Sequence, residues 1–174
     1  ATTLTSNLNV TSNGRDVINS SGAITVLGVA SFDLGAGDLT VTGLNTDFDF
    51  VRFDSVDNVT ISDVNAIRIG QGAASNIAGD LTVTSRGPIG TGGAIVVEGQ
   101  TFLTANNGGF GTSESNITLD NGGNDFKDLV TVTAGGGVIL TDANDLALTD
   151  LVSGGNITLN TGGDITSTGR VTQP

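Results

Sequence analysis

The densest group of ionisable side chains in this sequence lies between residues 47 and 57. It contains four carboxylates and one guanidinium: Asp47, Asp49, Arg52, Asp54 and Asp57. Glycoside hydrolases place two carboxylates around the bond that they cleave, one as the acid and the other as base or nucleophile. If this segment is a strand, Asp47 and Asp49 share one face. A carbohydrate-active β-helix, either a lyase or a hydrolase, is therefore one hypothesis, and a solvated acidic loop is the interpretation that we favour.

A second candidate is an Asp-x-Asn motif that occurs twice, in SDVNAIRIG (62–70) and TDANDLALT (141–149). Calcium prefers clustered oxygen ligands, so Asp63 and Asp142 could bind it together with nearby carbonyl groups. Neither an EF-hand loop nor a calcium-binding nonapeptide is present. We therefore favour a turn, where Asp and Asn bond to the nearby backbone and stacked asparagines can form a ladder. The two copies are predicted to be the same corner of a coil in two successive units.

The composition excludes several classes of chemistry. The sequence has no His and no Cys, so it contains no Ser-His-Asp triad, no thiolate and no imidazole ligand. The net charge of −12 disfavours nucleic acid and anionic lipid as partners. No stretch approaches the roughly 18 apolar residues of a membrane span. We predict no enzyme activity, no catalytic residue, no cofactor and no metal site.

Two further residue types have expected positions. Thr-x-Thr pairs in register on a flat solenoid face suggest an ice or crystal-surface binder, which is a minor alternative. Such pairs are predicted on three consecutive coils, and the array is expected to end at Asp120, Thr141 and Asn160. The pairs are Thr40/Thr42, Thr60/Ser62 and Thr82/Thr84. The phenylalanines at 48, 50, 53, 102, 110 and 126 are expected to fill or cap the core.

The elements that must position these residues follow from an internal repeat. A short pattern of Asp or Asn, an aliphatic residue, Thr and a second aliphatic residue recurs every 20 to 22 residues at the start of the chain. Four longer phrases recur in the same order at an offset of about 75 residues. They predict long units at 7–78 and 79–154, with a third starting near 155. The short pattern is lost between Asp80 and Asn116, so the register through 85–115 is not determined.

Alternating short strands at coil-length spacing predict an all-β fold, a parallel β-solenoid. We expect one domain over 1–174, with roughly 20 residues per coil and about 8–9 coils. An antiparallel β-sandwich is the alternative. It requires no constant spacing, and no Trp or Tyr is available to anchor its core.

The succession GDLTVTS, GAIVV, SNITLDNGGNDF, GVILTDANDLALT and GNITLN, within 79–165, resembles the repeats of filamentous-haemagglutinin-like bacterial surface adhesins. The resemblance implies a right-handed parallel β-helix that is secreted or displayed on the bacterial cell surface. It also implies a fragment of a much larger repetitive protein that continues into further repeats. The motifs of the family's secretion domain are not found in this sequence.

The expected function is therefore that of a structural or adhesive rod segment, without catalysis. Its partner would be a receptor or glycan on a host or neighbouring cell. The open edges of an excised piece also predict some end-to-end self-association. A calcium-stabilised module is a second minor alternative.

Overall fold

The protein is an all-β parallel β-solenoid of about 8 turns with about 21 residues per turn. The computed structural model describes residues 2–43, 45–106 and 115–173, and within those ranges it has 21 strands and no helix. Because the described residues form no helix, they contain none that is long and apolar enough to cross a membrane. Every strand pairing in the same ranges is parallel, which excludes the antiparallel sandwich.

The strands form three sheets that run along the rod. Sheet A consists of β1 (Thr2–Leu4), β2 (Leu8–Thr11), β4 (Ile24–Asp33), β6 (Asp47–Ser55), β8 (Ile67–Ile69), β11 (Ile89–Thr91), β14 (Ile117–Leu119), β17 (Val138–Asp142) and β19 (Ile157–Thr161). Sheet B consists of β3 (Val17–Asn19), β5 (Leu39–Val41), β7 (Val59–Asp63), β10 (Leu81–Ser85), β13 (Thr101–Ala105), β16 (Val130–Ala134), β18 (Leu146–Ser153), β20 (Ile165–Ser167) and β21 (Val171–Thr172). Sheet C contains only β9 (Ser75–Ile77), β12 (Ile95–Val97) and β15 (Asp125–Phe126).

The strand pairings of β10, β13 and β16 give the register of sheet B across the stretch where the short pattern is lost. In sheet B, Leu81 pairs with Thr101, and Thr101 pairs with Val130. The first of these steps is 20 residues and the second is 29, so the extra length lies in one coil. The short pattern does not mark β13, because Gln100 precedes this strand where Asp38, Asn58 and Asp80 precede β5, β7 and β10.

The core is a column of aliphatic side chains with a cluster of aromatic rings near its N-terminal end. Inward positions of the strands alternate with outward ones, as in Val59–Asp63. Phe32 packs edge-on against Phe48 at 6.4 Å and stacks on Phe53 at 6.3 Å between ring centroids. All three rings are at most 2% exposed.

The predictions for the phenylalanines are only partly confirmed. Phe48, Phe53 and Phe126 are buried, as expected. The prediction is wrong for Phe50 and Phe102, because both occupy outward positions of their strands. Phe50 packs against the Arg68 guanidinium, 5.3 Å from its ring centroid, and Phe102 is 37% exposed. The sixth predicted position, Phe110, lies outside the described residues.

The two copies of the Asp-x-Asn phrase occupy different corners of the solenoid, so the prediction of one shared corner is wrong. The first copy leaves β7 in sheet B and enters β8 in sheet A. The second leaves β17 in sheet A and enters β18 in sheet B. An offset of 79 residues covers three full turns and then crosses to the opposite sheet, because the turns differ in length.

Candidate functional site

The Asp or Asn that opens each short pattern forms a side-chain ladder along the start of sheet B. The Oδ1 atom of Asp38 accepts the backbone N–H of Asn58 at 3.1 Å, and Asn58 Oδ1 accepts that of Asp80 at 2.9 Å. Toward the N-terminus the ladder begins at Asp16, whose Oδ1 accepts the backbone N–H of Asp38 at 3.0 Å. Toward the C-terminus it ends where Asp80 Oδ1 accepts the backbone N–H of Gln100 at 2.8 Å. Each side chain thus joins one coil to the next and satisfies a backbone donor at the entry to a strand.

The recurring Gly before this residue has a steric cause. A Cβ atom on Gly79 would lie 2.3 Å from Asn58 Oδ1, and one on Gly99 would lie 2.4 Å from Asp80 Oδ1. Only glycine leaves room for the acceptor of the coil below. Sequence reasoning missed this ladder, although the 20 to 22 residue spacing of Gly-Asp and Asn was its signal.

Asp63 and Asp142 stabilise two corners of the solenoid, and each does so by accepting two backbone N–H groups. Asp63 Oδ2 accepts Phe48 N–H from the previous coil at 2.7 Å, and its Oδ1 accepts Asn65 N–H at 2.9 Å. Asp142 accepts Phe126 N–H at 2.8 Å and Asn144 N–H at 2.7 Å in the same way. The predicted bonding of Asp to the nearby backbone is therefore confirmed.

The asparagines of these two motifs do not form the amide ladder that was predicted for them. Asn65 Nδ2 donates to Asp47 Oδ1 at 3.0 Å, which is an amide–carboxylate contact. The backbone N–H groups of Asn65 and Asn144 donate hydrogen bonds to the aspartate of the same motif, Asp63 and Asp142 respectively. Among the residues that the structure describes, no three His, Cys, Asp or Glu side chains are grouped to hold a metal ion.

Burial controls the protonation of both corner carboxylates. Asp63 is only 5% exposed. Burial raises the pKa of its carboxyl group to about 6, although hydrogen bonds from two backbone N–H groups lower it. Burial also raises the pKa of Asp142, with smaller upward effects from the charges of Asp125 and Asp145. A carboxylate that is costly to ionise inside the protein serves here as a backbone acceptor.

The acidic cluster of residues 47–57 lies mainly on β6. Asp47 and Asp49 do share the outward face of the strand, on either side of the buried Phe48. Farther along the strand, Arg52 forms a two-pronged ion pair with Asp54, at 2.7 and 3.0 Å. This pair borders a shallow groove of about 200 Å³, which Asp33 also lines and which neither Asp47 nor Asp49 reaches. The cluster is therefore spread along one strand instead of converging on one point.

Sheet B presents two outward rows of side chains, and eight of the nine positions in them carry a hydroxyl group. The register places Thr60 beside Thr82, and Ser62 beside Thr84. The rows continue through β13 and β16, where Thr104 and Thr133 extend the second row. We name these nine side chains the threonine face: Thr40, Thr60, Thr82, Phe102 and Thr131 in one row, and Ser62, Thr84, Thr104 and Thr133 in the other.

The prediction that this array ends at Asp120, Thr141 and Asn160 is wrong. Thr141 lies in β17 and Asn160 in β19, and both strands belong to sheet A. Asp120 follows β14 of that same sheet. The similar short patterns of the second half therefore enter the opposite sheet and do not interrupt the threonine face.

Comparison with family models decides the affiliation of the chain. A model described as repeats of unknown function (DUF5649) matches residues 1–51, 56–133 and 135–173. The chain belongs to this family. Comparisons with curated proteins and with solved structures returned no match.

The corner carboxylates give the DUF5649 chain an expected pH dependence. Because the folded-state pKa of Asp63 lies above the usual 3.8, the part of its contribution to stability that is linked to proton binding is fully present below that value and is lost as pH rises through about 6. We expect the melting temperature to be higher near pH 5 than near pH 7.5. The free energy of unfolding attributable to Asp63 should be about 1 kcal/mol lower at pH 7.5 than at pH 5, since remaining contact with solvent reduces the full effect.

Thermal melts followed by circular dichroism at constant ionic strength measure this effect. Acidification also relieves general repulsion in a chain of net charge −12, so a control must lose one charge elsewhere. Asp63→Asn should flatten the pH dependence more than Asp49→Asn, which removes an exposed carboxylate. Equal pH profiles for the two variants would contradict the assignment.

Proposed function

We propose that this chain is a rigid, non-catalytic rod segment of a large bacterial surface or secreted protein, similar to filamentous-haemagglutinin-like adhesins, and that its outer faces mediate attachment. The observation that carries the proposal is the continuous core. Buried aliphatic residues extend from β4 to β18, and the strands of sheets A and B between them are each paired with the next coil. Eight coils about 4.8 Å apart make a rod of about 40 Å.

The construction of the rod supports a mechanical role. Backbone pairing, the Asp and Asn ladder and the corner carboxylates all join successive coils. Pulling along the rod would load many of these bonds at once. Because each coil contacts only its neighbours, the same unit can be repeated to any length.

The placement of the carboxylates supports a role without catalysis. Asp54 is paired with Arg52, and Asp47 accepts an amide N–H from Asn65. Asp63 bonds two backbone groups. A hydrolase needs an acid and a second carboxylate facing one bond. No such facing pair is formed by these three side chains.

The adhesive role is tested with beads that carry the folded chain at their surface. The beads are offered to bacterial and animal cells, and retention under flow is counted. We expect retention above that of beads bearing the same chain unfolded by Phe53→Ala and heat. Retention equal to that of the unfolded control on every cell type would reject adhesion, and release of sugars from a polysaccharide, lost in Asp54→Ala, would reject the non-catalytic role.

A further inference from the structure

The threonine face differs in charge from the rest of the molecule. The chain carries 18 acidic and 6 basic side chains, yet the nine outward positions of β5, β7, β10, β13 and β16 in this face carry none. Eight of the nine are hydroxyl side chains. The uncharged surface ends at β18, where Asp150 pairs with Thr131. Across the five strands before it a neutral partner is favoured, because an ionic partner would find no opposite charge there.

Phe102 lies within this neutral surface. It is 37% exposed, and its register partners on the two sides are Thr82 and Thr131. The hydroxyl of Thr104 is two positions along the same strand. An exposed aromatic ring costs free energy in water unless a partner covers it. Hydroxyl groups on both sides supply donors and acceptors for that partner.

A shallow groove continues the surface at the ends of β7 and β10. It has a volume of about 220 Å³, and its lining includes Ser62, Thr84, Arg86 and the corner residue Asp63. Thr84 belongs to both the groove and the threonine face, so the two features are continuous. The Arg86 guanidinium adds donors at this margin, while the strand faces themselves stay uncharged.

We propose that the threonine face binds an extended, neutral polysaccharide whose sugar rings stack on Phe102 and bond to the flanking hydroxyls. A pyranose ring has one face of C–H groups and a rim of hydroxyls, which matches an aromatic ring among threonines. Five strands at about 4.8 Å span roughly 19 Å, enough for several consecutive rings. The β-branched threonines have few rotamers, so their hydroxyls are held in place before binding.

Ice is a weaker match to this surface. An ice-binding face needs an uninterrupted array, and the Phe102 ring breaks the first hydroxyl row between Thr82 and Thr131. The assignment to a polysaccharide rests on the adhesive function proposed above and names its ligand class.

Binding is tested by depletion of the labelled chain onto insoluble cellulose and chitin, which are neutral, and onto alginate gel, which is acidic. We expect binding to at least one neutral polymer, weakened about tenfold by Phe102→Ala and less by the isosteric Thr84→Val. Thr158→Val makes the same change on sheet A, and Leu27→Ala removes an exposed apolar side chain from that sheet. Both controls should bind like the wild type.

Several outcomes would overturn the proposal: no binding to a neutral polymer, binding to alginate alone, or equal binding by wild type and Phe102→Ala. Inhibition of ice growth that Phe102→Thr enhances would assign the face to ice. A dimer in sedimentation that Phe102→Ala abolishes would assign it to a second copy. Beads bearing Phe102→Ala separate the two proposals: if they adhere to cells as the wild type does, adhesion stands and this face is not its site.

Discussion

Phe53→Ala is expected to lower the free energy of unfolding by about 3–5 kcal/mol. The Phe53 side chain is fully buried, and its ring stacks on Phe32 at 6.3 Å. Truncation leaves a cavity that stiff parallel strands cannot close, because each neighbour is held by hydrogen bonds to the coils on both sides. Without the Phe53 ring, Phe32 loses a stacking neighbour and is held only by its edge-on contact with Phe48 among the three rings.

Urea unfolding followed by circular dichroism measures this change, provided that the slope of the transition stays constant. Phe102→Ala is the matched control, since it removes the same atoms from an outward position that is 37% exposed. We expect less than about 1 kcal/mol for that variant. Similar losses for the two variants would contradict the assignment of Phe53 to the closely packed part of the core.

Asp63→Ala and Asp142→Ala are each expected to destabilise the protein by about 2–4 kcal/mol at neutral pH. Each substitution removes the acceptor of two backbone N–H groups, one of them donated by Phe48 or Phe126 of the preceding coil. The unpaired donors then lie at buried corners. Relief of the cost of burying a carboxylate offsets part of the loss.

Three further variants make this prediction specific. Asp63→Asn keeps one acceptor oxygen and should fall between the wild type and Asp63→Ala. Asp49→Ala removes an exposed carboxylate and should change stability by less than about 0.5 kcal/mol. The two corners share no hydrogen-bond partner, so the double alanine variant should show nearly additive losses. A loss for Asp63→Ala no greater than for Asp49→Ala would show that the corner does not depend on its carboxylate.

The alternation of side chains and the spacing of the strands were readable from the sequence because both are local or strictly periodic. Leu39, Thr40 and Val41 alternate inward and outward as any half-buried strand does. The recurrence of this pattern every 20 or so residues predicted the parallel β-solenoid, which is confirmed. The need for Asp or Asn at corners also followed from short-range chemistry, as the contacts of Asp63 and Asp142 show.

The sheet that each strand joins was decided only by the tertiary structure. The coils range from 18 to 29 residues, and some turns include a strand of sheet C while others do not. Similar phrases therefore enter opposite sheets, as 59–63 and 138–142 do. The alternation of residues along each strand is enough to predict that Thr60 and Thr82 point outward. Only the stacking of coils, which is a contact between residues 20 or more apart, determines that Phe102 and Thr131 continue their row.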